Sequence, residues 1–145
     1  RLAIRIGTGR MVRIGLAILD GFLGVTAVVG GLGLLFRVPF VSPPLDLLAG
    51  SPFGSYAIPG LALLVLVGGG GLLAAALLAR RSPWGVAVSG AAGLMILVFE
   101  AVELAVIGYT GLLAFYIALG LVIVALAGWL WAGPGPAMDR DRARA

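Results

Sequence analysis

Of the six acidic residues in this 145-residue chain, three stand inside long apolar runs: Asp20, Glu100 and Glu103. Glu100 and Glu103 lie in "LVFEAVELAVIGY", Leu97 to Tyr109. Three residues apart, they share one face of a helix. Two kinds of chemistry are open to carboxyl groups in such surroundings. They can bind and pass protons or cations, or they can stay neutral and hydrogen-bond between helices.

Much other chemistry is closed to the chain's own side chains. Histidine and cysteine are absent, which removes disulfides, thiolate nucleophiles, and thiolate or imidazole sites for zinc, copper or haem. All ten basic residues are arginine, so there is no amine for Schiff-base chemistry. An enzyme acting on lipid or quinone would have only carboxylates to work with. The sequence therefore reads as that of a non-enzyme, with no cofactor and no metal.

The elements that carry these acids follow from composition. The chain is 61% hydrophobic and 11% charged, with a mean hydropathy of +1.16, well outside the range of soluble domains. Four apolar runs cover roughly 14–36, 57–79, 85–107 and 112–132, each long enough for a helix to cross the hydrocarbon core. None alternates as barrel strands would. The expectation is an all-α integral membrane four-helix bundle at 14–132, between a basic N-terminus (1–13) and a tail (133–145). The tail, "GPGPAMDRDRARA", reads as a disordered end. All eight prolines fall in connections or at span ends. Pro59 and Pro83 read as helix starts, with Ser82 as a candidate cap.

Arginine placement gives an orientation. Arg1, Arg5, Arg10 and Arg13 precede the first span, Arg80 and Arg81 separate the second from the third, and Arg140, Arg142 and Arg144 follow the fourth. The other two connections hold only Arg37. By the positive-inside rule both termini are cytoplasmic, in a cell inner (plasma) membrane. Trp84, Trp129 and Trp131 then fall at the inner interface, and Tyr56, Tyr109 and Tyr116 near the outer one. Arginines clustered beside apolar runs fit a lipid bilayer as partner and not nucleic acid. The first span is too long for a signal peptide and carries Asp20.

Glycine supplies the packing surface. There are 24 glycines, and in lipid small residues that let backbones approach drive helix association. Gly85, Ser89 and Gly93 recur at spacing four; Thr26 and Gly30 do so in the first span; Gly68 to Gly71, with Gly70, form a run in the second. That run, "VGGGGLL", reads as tight packing or as a hinge near a ligand. The one long connection contains "PPLDLLAG", expected to form a short interfacial helix started by Pro44 and stopped by Gly50. It serves either as a packed cap on the bundle or as a lid over an outward cavity.

Helical rise sets the depth of the acids. Asp20 lies about 7 Å to the cytoplasmic side of its span's centre, Glu100 about 6 Å and Glu103 about 10 Å to the outer side. Asp20 shares its face with Gly24, Ala27 and Gly31; Glu100 and Glu103 share theirs with Gly93, Ile96 and Ile107. Both faces therefore point inward. Arg37, about 8 Å further out than Glu103, is expected to pair with it. Glu100 and Asp20 then have no cation, and as neutral acids are expected to hydrogen-bond a neighbouring carbonyl, Ser89 or Thr26. A relay from Glu103 through Glu100 to Asp20 is the alternative.

The stretches "LDLLAGSPFGSYAIPGLALLVLVGG", "AAALLARRSPWG", "FEAVELAVIGY" and "FYIALGLVIVAL" resemble a group of small four-span proteins of high-GC bacteria. The resemblance covers most of Asp20 to Leu126. Its most specific feature is "GSPF…IPG" ahead of the second span, with "RR" after it and an acid before "IGY". An acid or amide at the Glu103 position is typical of that group; an acid at Glu100 is not. The resemblance implies the four-span topology and no mechanism. The function expected is that of a non-catalytic membrane component, self-associating or an accessory subunit of a larger complex. A small proton or cation transporter using the intramembrane carboxylates is the alternative.

Overall fold

Helix α1 runs unbroken from Leu2 to Leu35 in a computed structural model that describes residues 2–133. The basic segment expected to precede the first span is thus the start of the same helix. Its 34 residues measure about 50 Å, against a hydrocarbon core of about 30 Å. The expected disordered tail, with Arg140, Arg142 and Arg144, lies outside the described residues, as does Arg1. Helices α2 (Ala57–Ala79), α3 (Gly85–Val106) and α4 (Gly111–Ala132) complete the set. All four are long and apolar enough to cross a membrane. The described residues form helices and turns, with no strand among them.

Each helix packs on the next in sequence, and α4 returns to α1, so α1 and α3 face each other across a diagonal. The start of α1 and the end of α4 lie at the same end of this up-down bundle. The core holds Leu16, Leu23, Val67, Ile96 and Ile123, one or two from each helix.

Glycine sets the closest approaches. A Cβ added to Gly24 would lie 2.7 Å from the Leu72 amide nitrogen, and one on Gly31 would lie 2.7 Å from the Gly60 carbonyl oxygen. One on Gly71 would lie 2.8 Å from the Asp20 carbonyl oxygen. Helices α1 and α2 therefore touch backbone to backbone, as expected where small residues replace hydrophobic driving force. On the next seam a Cβ on Gly85 would meet the Leu78 amide at 3.0 Å. On the α3–α4 seam, one on Gly93 would meet Ile123 Cγ2 at 2.9 Å. Gly30 and Gly70 are looser: their nearest neighbours are Leu63 Cδ2 at 3.2 Å and Ala92 Cβ at 3.9 Å.

Three local features depart from expectation. Helix α2 changes pitch: it is α-helical at Ala57–Ala62, π-helical at Leu63–Gly69, and α-helical again from Gly70. Helix α3 is capped at Trp84, not Ser82; the Ser82 hydroxyl instead accepts from the Trp84 amide at 3.3 Å. Tyr56 is buried, and its hydroxyl donates to the Pro44 carbonyl at 3.1 Å. That bond ties the long connection to the start of α2. Within the connection, "PPLDLLAG" makes a single 3-10 turn, Leu45–Leu48, with Leu48 buried.

Candidate functional site

The Asp20 carboxyl is fully buried where α1 meets α3 across the diagonal of the bundle. Ser89 Oγ donates to its Oδ2 at 2.5 Å, while Oδ1 has no hydrogen-bond partner. The sequence put both residues on small, inward faces. Gly24, Ala27 and Gly31 on α1 are buried, as are Ala92 and Gly93 on α3. Those small neighbours let two helices on opposite corners come close enough for the bond to form. Thr26, the other candidate donor, bonds back into its own helix at Phe22 O (2.9 Å) and Leu23 O (3.2 Å).

Glu100 is 3% exposed, and its Oε2 is unpartnered. Gly93 against Ile123 and Gly120 against Ile96 fix the antiparallel register of α3 on α4. Carried one turn further, that register sets Glu100 level with Tyr116. From Ser89 to Glu100 the helix rises about 16 Å. The buried residues between them on that face are Ala92, Gly93 and Ile96. The described residues thus place two carboxyl groups at two depths, with apolar packing between.

Glu103 is half-buried, one helical turn beyond Glu100 on the same face and close enough to interact with it electrostatically. The expected ion pair with Arg37 is not formed in the structure. Among the described residues no basic group acts on Glu103, and Arg37 is exposed beyond the end of α1, in left-handed backbone at φ 52°. The cause is topological. The chain reverses there, with Val38 N donating to Gly33 O at 2.9 Å, and α1 starts from the corner of the bundle opposite α3.

What Glu103 faces is a cavity of about 570 Å³. Helices α2 and α3 are joined by a tight turn and stay close through Gly70 and Ala92. Beyond that level they part. Leu66 and Ile58 of α2 and Met95, Val98 and Val102 of α3 line the gap while remaining exposed on their outer sides. Pro43, Leu47, Leu48 and Phe53 of the long connection close its end. The connection therefore covers the cavity and is also anchored as a cap, through Leu48 and Tyr56.

The polar side chains on the cavity wall are Tyr56, Thr110 and Glu103. The Tyr56 hydroxyl is committed to Pro44, and Thr110 Oγ1 accepts from the Leu113 amide at 3.1 Å as the cap of α4. The Tyr56 hydroxyl is held above its ordinary pKa, first by burial and then by the negative charges of Asp46 and Glu103. No three metal-ligating side chains gather among the described residues.

Sequence reasoning singled out the three acids, offered Ser89 as one of several partners for a neutral acid, and offered a cavity as one of two readings of the long connection; it missed the π-helical turn, whose one signal was the glycine run at 68–71 that follows the π segment's start. Comparisons with protein-family models, curated proteins and solved structures find no match. The fold and site define a class, the small polytopic helical bundle with internal carboxyl groups.

Proposed function

We propose that this chain is a non-catalytic membrane protein that works by packing against further transmembrane helices, its own copies or those of a larger complex to which it is an accessory. One observation carries this reading. A shallow apolar groove of about 200 Å³ runs along α3 and α4, floored by Ala87, Gly90, Ala127 and Gly128 and flanked by Leu94 and Trp131. A Cβ on Gly128 would meet nothing within 4 Å. Glycine left open on a lipid-facing surface weakens its own helix and gives nothing back unless another backbone comes near.

Native mass measurement of the full chain in mild detergent tests this. The expected result is a multiple of the chain mass, or the chain with a bound partner, reduced to the single chain by Gly128→Leu. A parent chain that runs alone overturns it.

Both termini are assigned to the cytoplasm of a plasma membrane, on the strength of the arginine clusters at one end of the bundle. The 3-10 turn at Leu45–Leu48 is then at the outer interface. Reporter fusions after residue 82 should read inside, and fusions near Ser51 outside. Proton or cation passage is the second reading, favoured by the unpartnered oxygens of Asp20 and Glu100. It requires flux in reconstituted vesicles that Glu100→Gln abolishes.

A further inference from the structure

We propose that the cavity between α2 and α3 binds a small lipophilic organic cation, entering from the lipid, with its charge held at Glu103 and its apolar body between the two helices. The inference stands independently of the association surface on α3 and α4.

Size and lining come first. A volume of about 570 Å³ falls within the range of about 300–1,000 Å³ that holds a drug-sized ligand. Its walls are aliphatic and aromatic, as such sites are. The opening lies between Leu66 on α2 and Val98 on α3, two exposed side chains on faces that would meet acyl chains. A ligand reaching it has first partitioned into the bilayer, so it is apolar.

Charge comes second. Among the described residues Glu103 has no basic partner, and the other two polar wall groups are already hydrogen-bonded within the fold. Asp46 adds a second negative charge close to Tyr56, at the covered end. A carboxylate on an apolar wall attracts a cation and repels an anion; a neutral guest would leave it unpaired. Glu103 is one turn from the end of α3, so interfacial water reaches its level and supports the charged form.

Pliability comes third. Leu63, Leu66 and Val67 of the cavity wall belong to the π-helical turn of α2. Such turns are frequent at functional sites, and their i→i+5 bonding departs from the regular α-helical ladder. Together with the covering connection, this gives the cavity two walls able to adjust to guests of different shape.

The test uses the full chain in lipid nanodiscs and equilibrium binding of tetraphenylphosphonium, with triphenylphosphine oxide as the neutral comparison. Empty discs supply the partition background. Tetraphenylphosphonium should bind saturably above that background, and the oxide at least about tenfold more weakly, as the loss of a desolvated charge pair requires. Glu103→Gln should weaken the cation about tenfold or more and leave the oxide unchanged. Glu100→Gln should alter neither.

Val98→Trp should block both guests, since Val98 is 60% exposed at the opening and a larger side chain there strains no packing. Should Glu103→Gln fail to fold, the cation-to-oxide ratio on the parent chain and the Val98→Trp block decide the matter alone. No binding above empty discs, equal binding of cation and oxide, or full binding to folded Glu103→Gln each overturns the proposal.

Discussion

At the level of Asp20 the four helices close on one another; at the level of Glu103 α2 and α3 stand apart around a cavity, while α1 and α2 stay in contact at Gly31 and Gly60. The lower half is made of backbone contacts at Gly24, Gly71 and Gly85. The upper half presents branched side chains, Ile58, Val98 and Val102, around a cavity. A carboxyl group placed in the first is sealed and bonded to Ser89; one placed in the second faces an open wall. The distribution of glycine and the pitch of α2 make the difference, so the surroundings of an intramembrane acid are decided by its neighbours' size.

The comparison breaks most sharply at glycine. Gly71→Leu would drive a side chain into the Asp20 carbonyl and the Gly24 backbone, both under 3 Å from the added Cβ. Backbone cannot yield as a flexible side chain does, so the cost should reach the upper end of the overpacking range, about 3 kcal/mol or more. Monodisperse protein after detergent extraction should be largely lost. Gly69→Leu, two residues away with nothing within 4 Å, should extract like the parent. Equal yields from the two would mean that the lower half is not closed by glycine.

Removing the diagonal bond should cost less. Asp20→Ala deletes a fully buried side chain together with Ser89's acceptor. Interhelical hydrogen bonds in membranes are worth about 0.6 to 2 kcal/mol, and the small void adds to that. We expect about 2 kcal/mol, seen as a lower midpoint in thermal unfolding of the solubilised chain. Asp20→Asn keeps an acceptor for Ser89 and should recover most of it. Ser89→Ala combined with Asp20→Asn should be no worse than Ser89→Ala alone, because both remove one bond. Additive losses would show that the two residues do not act as a pair.

Arg13 closes the same half from below. Its Nε donates to Leu78 O at 3.2 Å and its Nη2 to Ser82 O at 2.7 Å. It thereby satisfies carbonyls at the end of α2 and meets the negative end of that helix. Arg13→Gln should destabilise by about 1 kcal/mol. Arg10→Gln, on an exposed position of the same helix with no such bond, is the control and should be silent. A matching loss from both would assign the effect to net charge.

Much of the lower half was legible in the sequence, because its determinants are local. Span ends follow from prolines and hydropathy, and Ala57–Ala79 begins and ends where expected. The inward faces follow from the spacing of Asp20, Gly24, Ala27 and Gly31. The upper half was legible only as one of two readings of the long connection, and the residues around the cavity were not. A cavity is the volume left between helices, and no single segment encodes it. The Arg37–Glu103 pair failed for the same reason: the expectation weighed only depth along two spans, and which corners the spans occupy is a tertiary fact. Which apolar side chains of α3 face outward is equally a tertiary fact. Leu97 packs over Gly120, whose added Cβ would sit 3.0 Å from Leu97 Cγ, whereas Leu94 is the exposed neighbour.

The smallest expected effect separates Glu100 from Glu103. Glu100 is buried opposite the Leu113–Tyr116 turn of α4, with no cation beside it. A lone carboxylate there would bear its full desolvation cost, so the neutral acid is the form compatible with this burial. Glutamine has nearly the same shape and is also neutral. Glu100→Gln should therefore shift the thermal midpoint by less than 0.5 kcal/mol's worth, about the noise of a surface substitution. Glu103→Gln should also leave stability unchanged, since no Arg37 pair exists to be broken, and the double change should add nothing. If Glu100 were charged in the folded chain, Glu100→Gln would instead remove an unpaired buried charge and stabilise the bundle, by an amount on the order of several kcal/mol. A clear rise in the midpoint would thus move Glu100 from packing group to charge carrier, and with it the balance between the closed half and the open one.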